Sequence, residues 1–266
     1  MIKTMTAATP IQGERTHAGT SEGPFGRLHN QIAVVTGASS GIGKAIAMAL
    51  ADEGAQVCLI GRKLQTLESV ADKTGARSPK ARAYQADLTR DADIHALMAD
   101  LQRDAGRVDI LIHSAGEIHH GAQSRAPVAE LDVQYRTNVH GPYLLTQALM
   151  PLLRIGPGQI VFINSSTGLK ARAGNGQFSA TQHALRALTD SLRDEVNGDG
   201  IRVLSVYPGR TATPRTEALF AEEGKPYRPE LLMQPEDVAA MVAHALTLPR
   251  TAEVTEIAMR PLQKSY

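Results

Sequence analysis

A chain of 266 residues with 42% hydrophobic residues is long enough to bury a substantial core. Its 28 basic and 27 acidic residues leave a formal charge of +1, which makes no electrostatic case for a nucleic-acid or membrane-surface partner. A single cysteine, Cys58, excludes an intrachain disulfide, and no run approaches the ~18 apolar residues of a membrane span.

Residues 1–27 are polar and carry Glu14 and Glu22 without an apolar central segment, so they are expected to form a flexible extension, not a secretory leader. From 28 to 266 no proline-, glycine- or serine-rich linker divides the chain, and one domain is expected. Strands are predicted at Ile32–Thr36, Gln56–Ile60, Ala81–Gln85, Asp109–His113, Gln159–Asn164, Ile201–Tyr207 and Val254–Met259. Cys58 lies in the second of these runs, where it reads as a small buried hydrophobe. Between the strands, apolar residues recur at helical spacing, as in Ala45-Ile46-Ala49-Leu50 and Leu144-Leu145-Ala148-Leu149-Leu152. Near-continuous apolar strands alternating with helices predict a doubly wound α/β domain. Its sheet should be parallel, with roughly seven strands and helices on both faces.

The first strand runs into Thr36-Gly37-Ala38-Ser39-Ser40-Gly41-Ile42-Gly43, and a helix pattern follows at once. Glycines there let the backbone turn sharply and approach a diphosphate, while the helix N-terminus offers unpaired N–H groups. Ser39, Ser40 and Ile42 lie within the same loop. The second strand ends in Gly61-Arg62-Lys63, with no carboxylate at the tip. A carboxylate there would accept from a ribose 2′-hydroxyl, whereas Arg62 can pair with a 2′-phosphate, so NADP(H) is favoured over NAD(H).

Further motifs follow in order: Asp87-Leu88, Ser114-Ala115-Gly116, Asn138 in Thr137-Asn138-Val139-His140-Gly141, Asn164-Ser165-Ser166, and Tyr207-Pro208-Gly209 with Thr213 beyond. Taken together they resemble the short-chain dehydrogenase/reductase family, over about Leu28 to Arg260. The resemblance implies a Rossmann-type fold and a nicotinamide cofactor. Gly37, Gly41 and Gly43 would cradle its diphosphate, and Asp87 and Leu88 would bracket the adenine. Ser114, Ala115 and Gly116 would line the cleft, and Pro208, Gly209, Thr211 and Thr213 would border the nicotinamide end. His113-Ser114 departs from the two asparagines frequent in the family.

The family's Asn-Ser-Tyr-Lys set maps onto Asn138, whose usual job is to hold a relay water, and Ser165, which would bond the substrate carbonyl oxygen. Counted from Ser165, the tyrosine position holds Phe178 and the lysine position holds Gln182. Phenylalanine has no proton to give, and glutamine has no charge with which to tune one. His119, His120 and His183 are candidate replacements for the proton donor, with Tyr143, Lys170 and Tyr207 behind them. Pro214–Pro229 falls where the family covers its substrate, although Arg215, Lys225 and Arg228 are too scattered to name an acidic one.

The expected function is NADP(H)-dependent hydride transfer with a small organic carbonyl, imine or conjugated substrate and non-standard proton delivery. Two alternatives are a non-catalytic NADP(H)-binding sensor or partner subunit, and a non-redox lyase or cyclase using the same pocket. No metal site is expected. A cytoplasmic homodimer or homotetramer is expected, built on the helices carrying 138–154 and 178–192.

Overall fold

A computed structural model describes residues 26–75 and 81–263. Residues 1–25 of the expected extension lie outside that range. Gly26 and Arg27 belong to the fold itself: the Arg27 backbone N–H and guanidinium both donate to the Glu53 carboxylate, at 3.2 and 3.1 Å.

The strands are β1 Ile32–Thr36, β2 Gln56–Gly61, β3 Arg82–Gln85, β4 Ile110–His113, β5 Gln159–Ile163, β6 Arg202–Pro208 and β7 Glu256–Met259. They form one sheet in the order β3-β2-β1-β4-β5-β6-β7, and every pairing is parallel. All seven predicted strands are present. The predicted runs overreach at Ala81, Asp109, Asn164, Ile201 and Val254, which lie outside the strands. Asp109 shows why: its carboxylate accepts the Ile32 N–H at 2.8 Å and so caps the sheet edge.

The helices are α1 Gly41–Asp52, α2 Leu64–Gly75, α3 Asp91–Asp104, α4 Val128–Tyr135, α5 Gly141–Leu153, α6 Gly176–Val196, α7 Pro214–Glu222 and α8 Pro235–Leu246. Successive strand residues face opposite ways, so each strand feeds two cores. Ala33 and Val35 of β1 pack with Ile46 and Leu50 of α1, Leu67 of α2 and Val242 of α8. Ile32 and Val34 pack on the other face with Ile94 of α3, Leu149 of α5 and Leu185 of α6. The fold is therefore a single three-layer α/β domain.

Between β1 and β4 the winding reverses. In an open parallel sheet such a switch point opens a crevice at the carboxyl ends of the strands.

Candidate functional site

A cleft of about 1320 Å³ runs along the carboxyl ends of the strands. The positions expected to hold the cofactor border it, as do the four mapped from the Asn-Ser-Tyr-Lys set, from Gly37 and Arg62 to Ser165, Phe178 and Gln182.

The floor is the loop between β1 and α1. Gly37 has a φ of +66°, and a Cβ on it would stand 2.8 Å from Ala115 Cα. A Cβ on Gly43 would stand 2.5 Å from the Gly37 carbonyl oxygen. Only bare backbone fits here, which leaves room for a diphosphate above the N-terminus of α1. Thr36 Oγ1 holds the neighbouring strand end by accepting from the Ser114 and Ala115 N–H groups at 3.0 and 3.1 Å. Asp87 Oδ1 accepts from the Thr89 N–H and hydroxyl at 2.9 and 2.8 Å. Burial opposes its charge, but the Thr89 bonds together with Arg62 and Arg90 outweigh that, and its pKa lies below the ordinary carboxylate value.

His113, at the end of β4, is buried. Its Nε2 lies 2.9 Å from Thr146 Oγ1, and its ring stacks on Phe162 at 4.7 Å. Burial pushes its pKa down to about 3. The unfolded chain therefore takes up this proton first as pH falls below the ordinary histidine value. The linked stability is present above that value and drains as pH drops toward 3, by up to about 1.4 kcal/mol per pH unit. Urea unfolding near pH 7.5 and near pH 5 should show this slope, and His113→Asn should flatten it.

Asn138 lies in a π-helical turn, Arg136–His140, between α4 and α5. Such turns recur at functional sites because they re-aim one side chain. Here the amide, 2% exposed, is fully engaged. Nδ2 donates to Glu117 O and Thr181 Oγ1 at 2.8 and 3.1 Å, and Oδ1 accepts from Glu117 N at 2.7 Å. Both amide protons are committed within the protein. The side chain pins Glu117 and has no donor left for the relay water that the resemblance implies.

Ser165 caps a short 3₁₀ turn after β5. Its Oγ accepts from the Thr167 N–H and hydroxyl at 3.3 and 3.1 Å. Its own proton has no acceptor among the described residues, so it is available to a substrate oxygen. Phe178 and Gln182 lie one turn apart on α6, 7% and 4% exposed, and both border the cleft. A phenyl ring and a neutral amide thus line the same cleft as Ser165.

Of the candidate proton donors, His120 borders the cleft; His119, His183, Tyr143, Lys170 and Tyr207 do not. His183 Nδ1 is turned to the Ser179 carbonyl at 2.8 Å, and Tyr207 lies under the Arg186 guanidinium. His120 Nδ1 is 3.5 Å from Glu223 Oε1. Burial lowers the His120 pKa; Glu223 raises it and Arg210 lowers it.

Much of Pro214–Pro229, expected as a covering loop, is helix α7. Thr213 starts it by accepting the Thr216 N–H at 3.2 Å, with Pro214 in the first turn. Glu223, just beyond α7, gathers Arg210 at 3.1 Å and Lys225 at 2.7 Å. One group went unnoticed in sequence. Glu117 borders the cleft directly after Ser114-Ala115-Gly116, and Arg215 of α7, read there only as a scattered charge, stands 3.6 Å from its carboxylate. The place of Glu117 beside the strand-end motif was the available signal.

A glycine loop at the switch point of this parallel sheet defines a class, the Rossmann-type domains that bind dinucleotides. Within that class the chain belongs to the short-chain dehydrogenase family, whose model matches residues 31–224. It is 33% identical over 238 residues to an uncharacterized oxidoreductase of Staphylococcus epidermidis, covering 89% of this chain and 99% of that one. It is 36% identical over 244 residues to glycine betaine reductase ATRR of Emericella nidulans. That match takes in 90% of this chain but spans 19% of the relative's length. A short-chain dehydrogenase of Shigella flexneri solved with NADP superposes with a TM-score of 0.81 at 28% identity, over 88% of this chain and 98% of that one. No described helix is long and apolar enough to cross a membrane.

Proposed function

We propose that this protein is an NADP(H)-dependent oxidoreductase acting on a small carbonyl, imine or conjugated substrate, with its proton handled by His120 instead of residue 178. Bound NADPH would supply a hydride to the electrophilic carbon. The Ser165 hydroxyl would donate to the substrate oxygen or nitrogen, and protonated His120 would release the proton that completes reduction. The single observation that carries this reading is Ser165, whose unclaimed proton borders the same cleft as the glycine cradle. Arg62 at the tip of β2, and the NADP bound by the Shigella relative, support the phosphorylated cofactor.

The test is NADPH oxidation against carbonyl and imine panels. His120→Gln should lower kcat about 10²–10⁴-fold and leave NADPH affinity unchanged. Reduction needs the protonated imidazole, and burial lowers its pKa. The rate should therefore fall as pH rises through a value below the ordinary histidine one. NADPH binding without turnover on any panel member would sink the reductase reading.

That outcome would favour a non-catalytic NADP(H)-binding sensor or partner subunit. Phe178 and Gln182 support this second reading, since both are well buried and neither can donate the missing proton.

A further inference from the structure

Two guanidinium groups converge on one carboxylate oxygen in the cleft. Arg62 Nη2 stands 3.9 Å, and Arg215 Nη2 3.6 Å, from Glu117 Oε2. Arg62 follows β2, Glu117 follows β4 and Arg215 belongs to the first turn of α7. The contact therefore joins three strand-end segments across the cleft. The Glu117 backbone is anchored at this place, because its N–H and C=O are both bonded to the buried Asn138 amide, while its carboxylate is free to turn. His119 Nε2 lies 3.8 Å from the other carboxylate oxygen. Arg215 borders the cleft with its side chain 41% exposed and its Nη1 3.8 Å from the place a Cβ on Gly116 would take.

Paired arginines around an oxyanion form a typical phosphate-binding arrangement. Here the oxyanion is the chain's own. A ribose phosphate brought to Arg62 meets a guanidinium that already has a counter-ion, and it meets that counter-ion's negative charge. Arg215 faces the same exchange from the other wall. Burial in the cleft lowers the Arg215 pKa, with Glu117 acting the other way. A partly desolvated cation of this kind gains from an anion close by.

We infer that Glu117 competes with the cofactor's ribose phosphate for Arg62 and Arg215, and so sets how strongly this cleft prefers NADP(H) over NAD(H). This rests on the nicotinamide reading above. Glu117 is in this sense a built-in stand-in for the phosphate, and its exchange would couple cofactor entry to the position of α7.

The test is titration of the full chain with NADPH, NADH and adenosine 2′,5′-bisphosphate, for the parent, Glu117→Gln and Arg215→Met. Glu117→Gln keeps both backbone bonds to Asn138 and removes only the charge. NADPH and the bisphosphate should bind it about 2- to 5-fold tighter, the range expected for one partly exposed ion pair, with NADH changing less. Arg215→Met should weaken NADPH more than NADH. An unchanged NADPH-to-NADH ratio in Glu117→Gln, or weaker NADPH binding at unchanged melting temperature, would overturn the inference and leave the cofactor reading standing. A parent chain that binds neither dinucleotide, or prefers NADH, would overturn the NADP(H) reading, and the inference with it.

Discussion

Introducing tyrosine and lysine together, as Phe178→Tyr with Gln182→Lys, is expected to raise NADPH-linked carbonyl reduction by about 10²–10⁴-fold in the His120→Gln background, where the proposed proton donor is gone. The two positions are one turn apart on α6, and both border the cleft that Ser165 also lines. A phenol there would bring a dissociable proton to the substrate oxygen. An ammonium one turn away would lower the phenol's pKa from ~10 toward neutrality by favouring its ionised form. The lysine enters a buried place where Gln182 now makes one long bond, to Thr181 Oγ1 at 3.5 Å. No strong partnership has to be broken. Either change alone should gain far less, because the lysine has nothing to tune without the phenol. Initial rates on a carbonyl panel, with NADPH affinity measured in parallel, decide the matter. Unchanged rates at intact NADPH affinity would mean that the substrate end has been reshaped for something other than carbonyl reduction.

Gly43→Ala should abolish dinucleotide binding and lower stability by about 1–3 kcal/mol. Its Cβ would meet Gly37 O at 2.5 Å and Gly37 C at 2.9 Å, backbone atoms of the turn that forms the cleft floor. Ser114 Oγ, at 3.1 Å, blocks movement on another side. Relief would require Gly37 to shift, and Gly37 is itself held against Ala115. Gly198→Ala is the control, since nothing lies within 4 Å of its added Cβ and its φ is not in the left-handed region. Urea midpoints with an unchanged slope would separate lost stability from lost cofactor binding. Parent-like NADPH affinity in Gly43→Ala would remove the glycine loop from the proposed diphosphate site.

Much of the architecture was legible in the sequence because it rests on short-range signals. Val34 and Val35 read as strand because alternate residues of an apolar run can each find a covered face, and the two cores receive them so. Gly37 and Gly43 read as a loop that must approach something closely, and their absent Cβ atoms prove to have no room. The helix in Pro214–Pro229 was less legible, because its start depends on Thr213 capping Thr216 and proline signals a turn as readily as a first helical residue. His119 and His120 are neighbours in sequence, yet one turns to Glu117 and the other to Glu223. Nothing local distinguishes them.

By itself the sequence determined the doubly wound fold, the switch-point loop and the presence of a phenyl ring and a neutral amide at 178 and 182, one helical turn apart. Each depends on residue type at a fixed spacing, which burial period and backbone sterics translate directly into structure. Only the tertiary structure decided that Asn138 is spent on pinning Glu117, that His120 borders the cleft while His119 and His183 do not, and that Arg62 and Arg215 share one carboxylate. Those pairings join segments far apart in the chain. Electrostatic partners are chosen by distance in space, and that distance exists only once the sheet has closed and α7 has docked across its edge.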